Sequence, residues 1–410
     1  MGALSHLRIC DFTGQLAGAG APRFLAALGA QVIRIEDPTN EGRWDIHRGI
    51  GPFVDDRRGV DLSGSFNNHN VGKLGITLNV KTDKGKAVLR KLVAVSDAVT
   101  ENFAAGVMER LGFGYEQLRA IREDIIYVSD CGFGHSGPYK NFKTWGPSVQ
   151  AFSGLTFSSG LPDLPPAGWG YSYMDHTAAY FMAMAIMAAV HHRTVTGEGQ
   201  HVDCASTEAA ATLNGPALLD FTVNGRKLRR PGMPNSNRSQ SPAMAPHGIY
   251  PADQEDRWVA IACRDDDDWQ KVAAFMDVRE GNDKRFVTLA GRLANEDELE
   301  ALVARWTVQH PAASVAALLQ GAGVPASVVQ SPEERIDNDA NTSAWGLWPA
   351  PEHREMGRVR VDGLPVHLSE TDWNIPRGAP CLGQDNDFVL GEILGIGAEE
   401  RGALKAEGVI

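Results

Sequence analysis

The sequence predicts an α/β protein with a large domain on a parallel sheet and a smaller α/β domain. Three observations carry that prediction. Short Val- and Ile-rich runs alternate with helix-patterned stretches over roughly the first hundred residues, and strands separated by helices favour a parallel sheet with covering helices. The composition then changes near Asn224, where NGRKLRRPGMPNSNRSQSPAMAPHG is basic, Pro- and Ser-rich and without periodicity. Strand and helix patterns resume beyond it. At 410 residues the chain is long enough for two domains, with expected boundaries 1–220, 225–335 and 336–410.

Each element follows from local pattern. LRICDF reads as a buried strand, APRFLAALG as a helix ending at Gly29, and AQVIRIE as a second strand. GITLNV is a strand, KTDKGKAVLRKLVAVS an amphipathic helix, DAVTENF a strand, YEQLRAIRED a helix and IIYVSD a strand. Gly154–Gly170 is rich in Gly, Pro and Ser and predicts a loop. Thr177–Val190 is apolar on all sides, too short for the roughly 20 residues that cross a bilayer, and predicts a helix buried in a core. HVDCASTEAAATLNGPALL is expected as a second, Ala-rich helix. The stretch 225–247 is expected as a linker or an active-site loop. IYPADQEDRWVAIAC predicts two strands, and DDDDWQKVAAFM a helix with acids in its first turn, where the dipole favours them. EDELEALVARWTV and AASVAALLQGAG predict helices and VPASVVQ a strand. Ser331 and Glu334 predict a capping box, and RVRVDGLPVHLS a hairpin or paired strands.

Composition narrows function. A formal net charge of −12 argues against broad nucleic-acid binding through a basic face. Five scattered cysteines, never in a CxxC pair, argue against a disulfide framework or a structural zinc site and point to a reducing compartment. MGALSHLRICDF lacks the charged and long apolar segments of a secretory signal, so a cytoplasmic location is expected.

Several motifs invite chemistry. GQLAGAGAPRFLAALGAQVIRIE follows a strand and ends at Glu36, as in dinucleotide folds, but Gly14, Gly18 and Gly20 are spaced GxxxGxG and a packing turn explains them equally well. Asp265–Asp268 are consecutive acids that cannot all face one ion, and they suit an exposed helix start. His191 and His192 suit a helix C-terminus. Cys131 reads as a structural thiol. No metal site is expected. Asp175 differs, because this lone carboxylate stands at the lip of the apolar run. A helix start would hold it ionised, and the helix behind it would fix it rigidly. Asp is also a preferred N-cap, so the local pattern supports a cap and a nucleophile alike.

Together, LRICDFTGQLAGAGAPRFLAALGAQVIRIED, GKLGITLNVKTDKGK, DAVTENFAAGVMERLGFGYEQL, CGFGHSGPY, MDHTAAYFMAMAIMAAVHHRTVTGEGQHVD and RGAPCLGQDNDFVLGEILG resemble the class III CoA-transferases, which include formyl-CoA and carnitine CoA-transferases. The resemblance runs nearly the whole chain. It implies a Rossmann-like large domain of N- and C-terminal segments, a smaller α/β domain and an interlocked dimer, or a hetero-oligomer with a related subunit. It implies that Asp175 is the nucleophile and that CoA, a substrate rather than a resident cofactor, meets Ala17, Leu78, Lys81, Asn102, Phe103 and Arg110. Lys81 and Arg110 would neutralise phosphates, and Phe103 would pack on an apolar part of CoA.

The chain departs from the family pattern at several points. Asp37 stands where an arginine often follows the second strand, and Leu16 replaces a glutamine of the formyl-CoA branch. PNSNRSQSPAMAPHG replaces that branch's glycine-run loop. Trp145, in TWGPS, replaces the histidine of related acyl-CoA racemases, which disfavours racemase chemistry. Backbone amides between Gly232 and His247 are expected to stabilise developing oxyanions, and Trp145, Trp169 and Tyr173 to exclude water. The expected reaction moves CoA from an acyl-CoA, succinyl-CoA being one such donor, to a carboxylic acid through an aspartyl-CoA thioester. The alternatives are an acyl-CoA racemase, an NAD-dependent oxidoreductase using Gly14–Glu36, and a non-catalytic CoA-binding subunit.

Overall fold

The computed structural model of the chain describes residues 2–42, 44–161, 163–170, 172–276 and 282–410. It divides into two compact units, one comprising 1–157, 168–225 and 341–410 and the other 158–167 and 226–340.

The first unit is built from strands β1 (Arg8–Asp11), β2 (Gln31–Glu36), β3 (Leu74–Thr77), β4 (Ala98–Glu101), β5 (Ile126–Cys131) and β6 (His201–Ala205). Its helices are α1 (Ala17–Ala27), α2 (Gly64–Asn70), α3 (Asp83–Ala94), α4 (Val107–Leu111), α5 (Tyr115–Ile121), α6 (Gly146–Phe152), α7 (Leu155–Ser158), α8 (Tyr173–Thr196), α9 (Ser206–Ala211) and α10 (Gly215–Asn224). All six strands are parallel, in the order β3-β2-β1-β4-β5-β6. Alternation sends Cys10, Ile33, Ile76, Val99 and Tyr127 to one face. There they meet Val88, Leu89 and Leu92 of α3, Leu118 of α5, and Val389, Leu390 and Leu404 from the C-terminal segment. The next residue along or back, Ile9, Val32, Ala98, Ile126 and Val128, faces Leu25 of α1 and Met182 and Ile186 of α8. Burial on both faces is what a parallel sheet requires. Local signals also hold: the Thr82 hydroxyl accepts from the Gly85 N–H at 3.0 Å and caps α3.

Five expectations about these elements are corrected. HVDCA is not helical: it is the edge strand β6, with Asp130 opposite Cys204, and the Ala-rich helix begins only at Ser206. The first helix starts one turn early, at Ala17, with Pro22 inside it. The loop 154–170 holds the short helix α7, and the hairpin joins Glu352–His353 to Gly357–Arg358, sharing only Arg358 with RVRVDGLPVHLS. Finally, α8 is not buried on all sides. Met174, Ala178, Met182, Ile186 and Ala189 face the core, while Tyr180, Phe181 and Met184 are exposed on the chain's surface. Hydrophobicity reports the wish for burial, not which partner supplies it.

In the second unit, His247–Pro251, Trp258–Ala262 and Ala326–Val328 form an antiparallel sheet. It shares a core with Trp269, Leu299, Leu302, Val315 and Leu319. Ser331 and Glu334 form the expected capping box: the Ser331 N–H donates to Glu334 Oε2 at 2.8 Å, and the Glu334 N–H to Ser331 Oγ at 3.3 Å. Of the four consecutive acids, Asp265, Asp267 and Asp268 bring ligand atoms within 4.8 Å of one another, without Asp266. Asp265 caps the helix and Asp268 pairs with Arg264 at 2.7 Å.

Candidate active site

Strand order reverses between β1 and β4, so the loops leaving their C-terminal ends diverge and open a crevice. A cleft of about 750 Å³ lies there. Gln15, Leu16 and Ala17 line it from the loop after β1, Asn102, Phe103 and Ala104 from the loop after β4, and Asp130, Cys131 and Gly132 from the end of β5. Trp145, Gly146, Ser172, Asp175 and Ser206 also line it, as do His47, Ser65, Asn68 and His69.

Asp175 is the third residue of α8, behind an N-cap at Ser172, so it is not itself the cap. Its backbone N–H donates to the Ser172 carbonyl at 3.0 Å. Burial pushes its carboxyl up to about 6, against the lowering effect of a hydrogen bond from the Ser172 side chain. Desolvation therefore outweighs the hydrogen bond that favours the charged form. At neutral pH the group is still mostly ionised, but poorly solvated and correspondingly nucleophilic. Gly146 explains how close the neighbouring chain comes. A methyl group there would lie 2.7 Å from Asp175 Oδ2 and 2.8 Å from Ser172 Oγ.

The loop after β1 is tied to the loop after β4. Asn102 grips Gly14 at two points: the Gly14 N–H donates to its Oδ1 at 2.8 Å, and its Nδ2 donates to the Gly14 carbonyl at 3.0 Å. A Cβ on Gly18 would fall 2.4 Å from the Asn102 side chain. Phe103 packs between Phe12 and Trp44, with ring centroids 6.4 and 5.6 Å away. Beneath, Asp11 accepts from Thr13 and Thr100 hydroxyls and pairs with Lys73 at 3.0 Å, all fully buried. Arg34 reaches Asp45 at 2.6 Å.

Of the six residues expected at CoA, Ala17, Asn102 and Phe103 line the cleft with Asp175. Leu78 lies in the hydrophobic core. Lys81 is exposed and pairs with Asp37 at 3.3 Å, so the acid standing in an arginine's position is itself neutralised. Arg110 is exposed on α4, away from the cleft lining. Trp145 lines the cleft but is largely exposed, as are Trp169 and Tyr173, which face each other at 6.0 Å. The 232–247 loop belongs to the second unit.

Sequence reasoning missed several groups. Asp130 is fully buried; the Ser206 hydroxyl donates to its Oδ1 at 3.1 Å, and burial, with the charges of Asp175 and Asp203 adding, pushes it up to about 7. Glu101, accepting from the Tyr127 hydroxyl at 2.7 Å, is pushed up to about 8 by burial. His69 donates from Nδ1 to the Ser65 carbonyl at 2.9 Å and is held down near 4 by burial, so it is neutral. A carboxylate closing a buried strand before a glycine turn, as in IIYVSDCGFG, was the available signal for Asp130.

The dinucleotide reading fails on Glu36. Both its oxygens are taken by Arg48, at 2.7 and 2.6 Å, in a fully buried pair, leaving no acid for a ribose.

The sequence profile described as CoA-transferase family III matches residues 4–386. The chain is 30% identical over 416 residues to the succinyl-CoA–D-citramalate CoA-transferase of Chloroflexus aurantiacus, covering 99% of this chain and 98% of that protein. It is 33% identical over 384 residues to the acetyl-CoA:oxalate CoA-transferase of Acetobacter aceti, covering 93% of each. A crystal structure of a CAIB/BAIF family protein from Brucella suis superposes with a TM-score of 0.86 at 29% identity, covering 96% of this chain and 99% of that one.

Proposed function

The chain belongs to CoA-transferase family III, and from that premise we propose that it carries CoA between carboxylic acids on Asp175. The observation that carries the reading is the half-buried, mostly ionised carboxylate of Asp175 in a cleft shared with Ala17, Asn102 and Phe103.

In the proposed sequence, an Asp175 oxygen attacks the thioester carbonyl of the donor. The C–S bond breaks and CoA leaves as thiolate with its electron pair, giving a mixed anhydride. The thiolate then attacks the aspartyl carbonyl, expels the donor as a carboxylate and forms an aspartyl-CoA thioester. The acceptor carboxylate repeats the two steps in reverse and restores Asp175. Covalent catalysis divides one exchange into easier steps, and no base is required because neither carboxylate nor thiolate has a proton to lose. Each tetrahedral step needs an oxyanion donor, typically worth about 3–4 kcal/mol. Phe103 and Ala17 would flank the pantetheine, with Asn102 holding the loop that carries Ala17. Lys81 and Arg110 would meet phosphates at the solvent end.

Succinyl-CoA and acetyl-CoA, named in the two relatives, are the first donors to assay. Asp175→Asn should lower exchange by more than about a thousandfold while CoA still binds. Undiminished exchange would remove the proposal.

We further propose that the working form is the family's interlocked dimer. The open faces support this: Tyr180, Phe181 and Met184 on α8, and α10, which has no buried residue and exposes Leu218, Leu219, Phe221 and Val223. Sedimentation would test it, a monomer at micromolar concentration speaking against it. No helix among the described residues is long and apolar enough to cross a membrane. A cytoplasmic enzyme is the location proposed.

A further inference from the structure

Asp130 is a buried carboxyl of the cleft that the transfer chemistry leaves without a task. It sits at the C-terminal end of β5, beside the cleft end that holds Asp175 and Ser206. The Ser206 hydroxyl takes Oδ1 at 3.1 Å, whereas Oδ2 meets no hydrogen-bond partner among the described residues. An orphaned, fully buried carboxyl oxygen is costly, and a fold retains one where a ligand completes it. Its nearest charges are also acids, since Asp175 and Asp203 both act on it. Among the described residues lining the cleft, Lys143 is the sole lysine or arginine, and it is exposed.

We propose that Asp130 is a specificity-determining residue, which selects acyl groups bearing a hydroxyl by completing its free oxygen with that hydroxyl. This rests on the transferase reading above and names its substrate class. A hydroxyl suits the site whichever way the proton lies, because a carboxylate accepts from it and a carboxylic acid donates to it. A carboxyl pushed up to about 7, by burial first and by Asp175 and Asp203 after it, samples both forms at neutral pH. A second carboxylate on the acyl chain does not suit the site. It would bring a third acid to a place that already holds two, with no buried cation to meet it. Succinyl-CoA is then a usable donor but not the acyl group this end of the cleft fits best. An unsubstituted acyl chain leaves Oδ2 unpaired, and sites built to bond a hydroxyl discriminate against analogues that lack it.

A matched four-carbon series tests this with the full-length protein and acetyl-CoA as donor. Butyrate, succinate and the 2-, 3- and 4-hydroxybutyrates are compared as acceptors by kcat/KM. At least one hydroxybutyrate should exceed both butyrate and succinate by about tenfold or more. In Asp130→Leu the hydroxybutyrate-to-butyrate ratio should fall to within about twofold of unity, a readout that a general loss of folding or activity does not move. Asp130→Asn, which keeps the shape and the Ser206 contact, should retain a preference for the hydroxy acid and raise succinate relative to butyrate. A wild type that ranks succinate or butyrate level with every hydroxybutyrate would overturn the inference, as would an unchanged ratio in Asp130→Leu. Loss of exchange with every acid, together with no covalent adduct at Asp175, would instead remove the transferase reading beneath it.

Discussion

Gly146→Ala is the sharpest structural perturbation of the cleft. The backbone at Gly146 is not in the left-handed region, so alanine meets no conformational penalty there. Its methyl group, however, would lie 2.7 Å from Asp175 Oδ2, where an ordinary contact begins at 3.4 Å, so the carboxylate must retreat by about 0.7 Å. It cannot yield toward Ser172, whose Cβ and Oγ lie 2.8 Å from the same methyl position. Overpacking of this kind costs about 1–3 kcal/mol of stability. A displacement near 1 Å at a reacting atom costs about a hundredfold in rate, equivalent to about 2.7 kcal/mol of barrier. The variant should therefore fold with a modestly lower denaturation midpoint and lose about 30- to 100-fold in kcat. The KM for acyl-CoA should change by less than about threefold, because the Asn102 and Phe103 side of the cleft is untouched. Steady-state exchange kinetics beside a urea titration measure both quantities. A variant with kcat within about twofold of wild type would show that the carboxylate seen beside Gly146 is not the reacting group.

Other outcomes follow from the same geometry. Exchange should fall about tenfold per pH unit below about pH 6 and level off above it, because Asp175 attacks only when ionised; a flat profile down to pH 5 would contradict this. Asn102→Ala strands the Gly14 N–H and carbonyl, so it should cost about 1–3 kcal/mol by denaturant titration and raise KM for acyl-CoA about tenfold. Lys81→Ala removes only an exposed pair with Asp37, so stability should change by less than about 1 kcal/mol, whereas KM for CoA should rise most at low salt. Glu101 and Asp130 are pushed up to about 8 and about 7, chiefly by burial, so the folded chain binds more protons than the unfolded chain across that range. Stability should accordingly decline as pH rises from about 4.5 to about 8, and Glu101→Gln should flatten the decline in a melting series.

The parallel sheet was legible because its strands are buried on both faces and separated by amphipathic helices, a signal local to each segment. HVDCA was not, since an edge strand that runs straight into an Ala-rich helix carries too few β-branched residues to announce itself. Ser331 and Glu334 were readable because a capping box is complete within four residues. The cleft is the opposite case. Asp130, Gly146, Asp175 and Ser206 come from four separate segments, and the closeness of Gly146 to a carboxylate 29 positions away has no local pattern. Asp175 stood out only as a lone acid before an apolar run, and its chemistry came from the family resemblance. Burial, which the sequence could not assign at that position, raises its carboxyl to about 6, an effect no local pattern announced.

The most direct test is to mix the protein with acyl-CoA, quench with hydroxylamine or borohydride, and weigh the peptide that contains Asp175 by mass spectrometry. The account predicts a modified Asp175 that appears only with acyl-CoA and vanishes when Asp175 is replaced by Asn. An unmodified Asp175 in a protein that is turning over, or an adduct on another side chain, would contradict it.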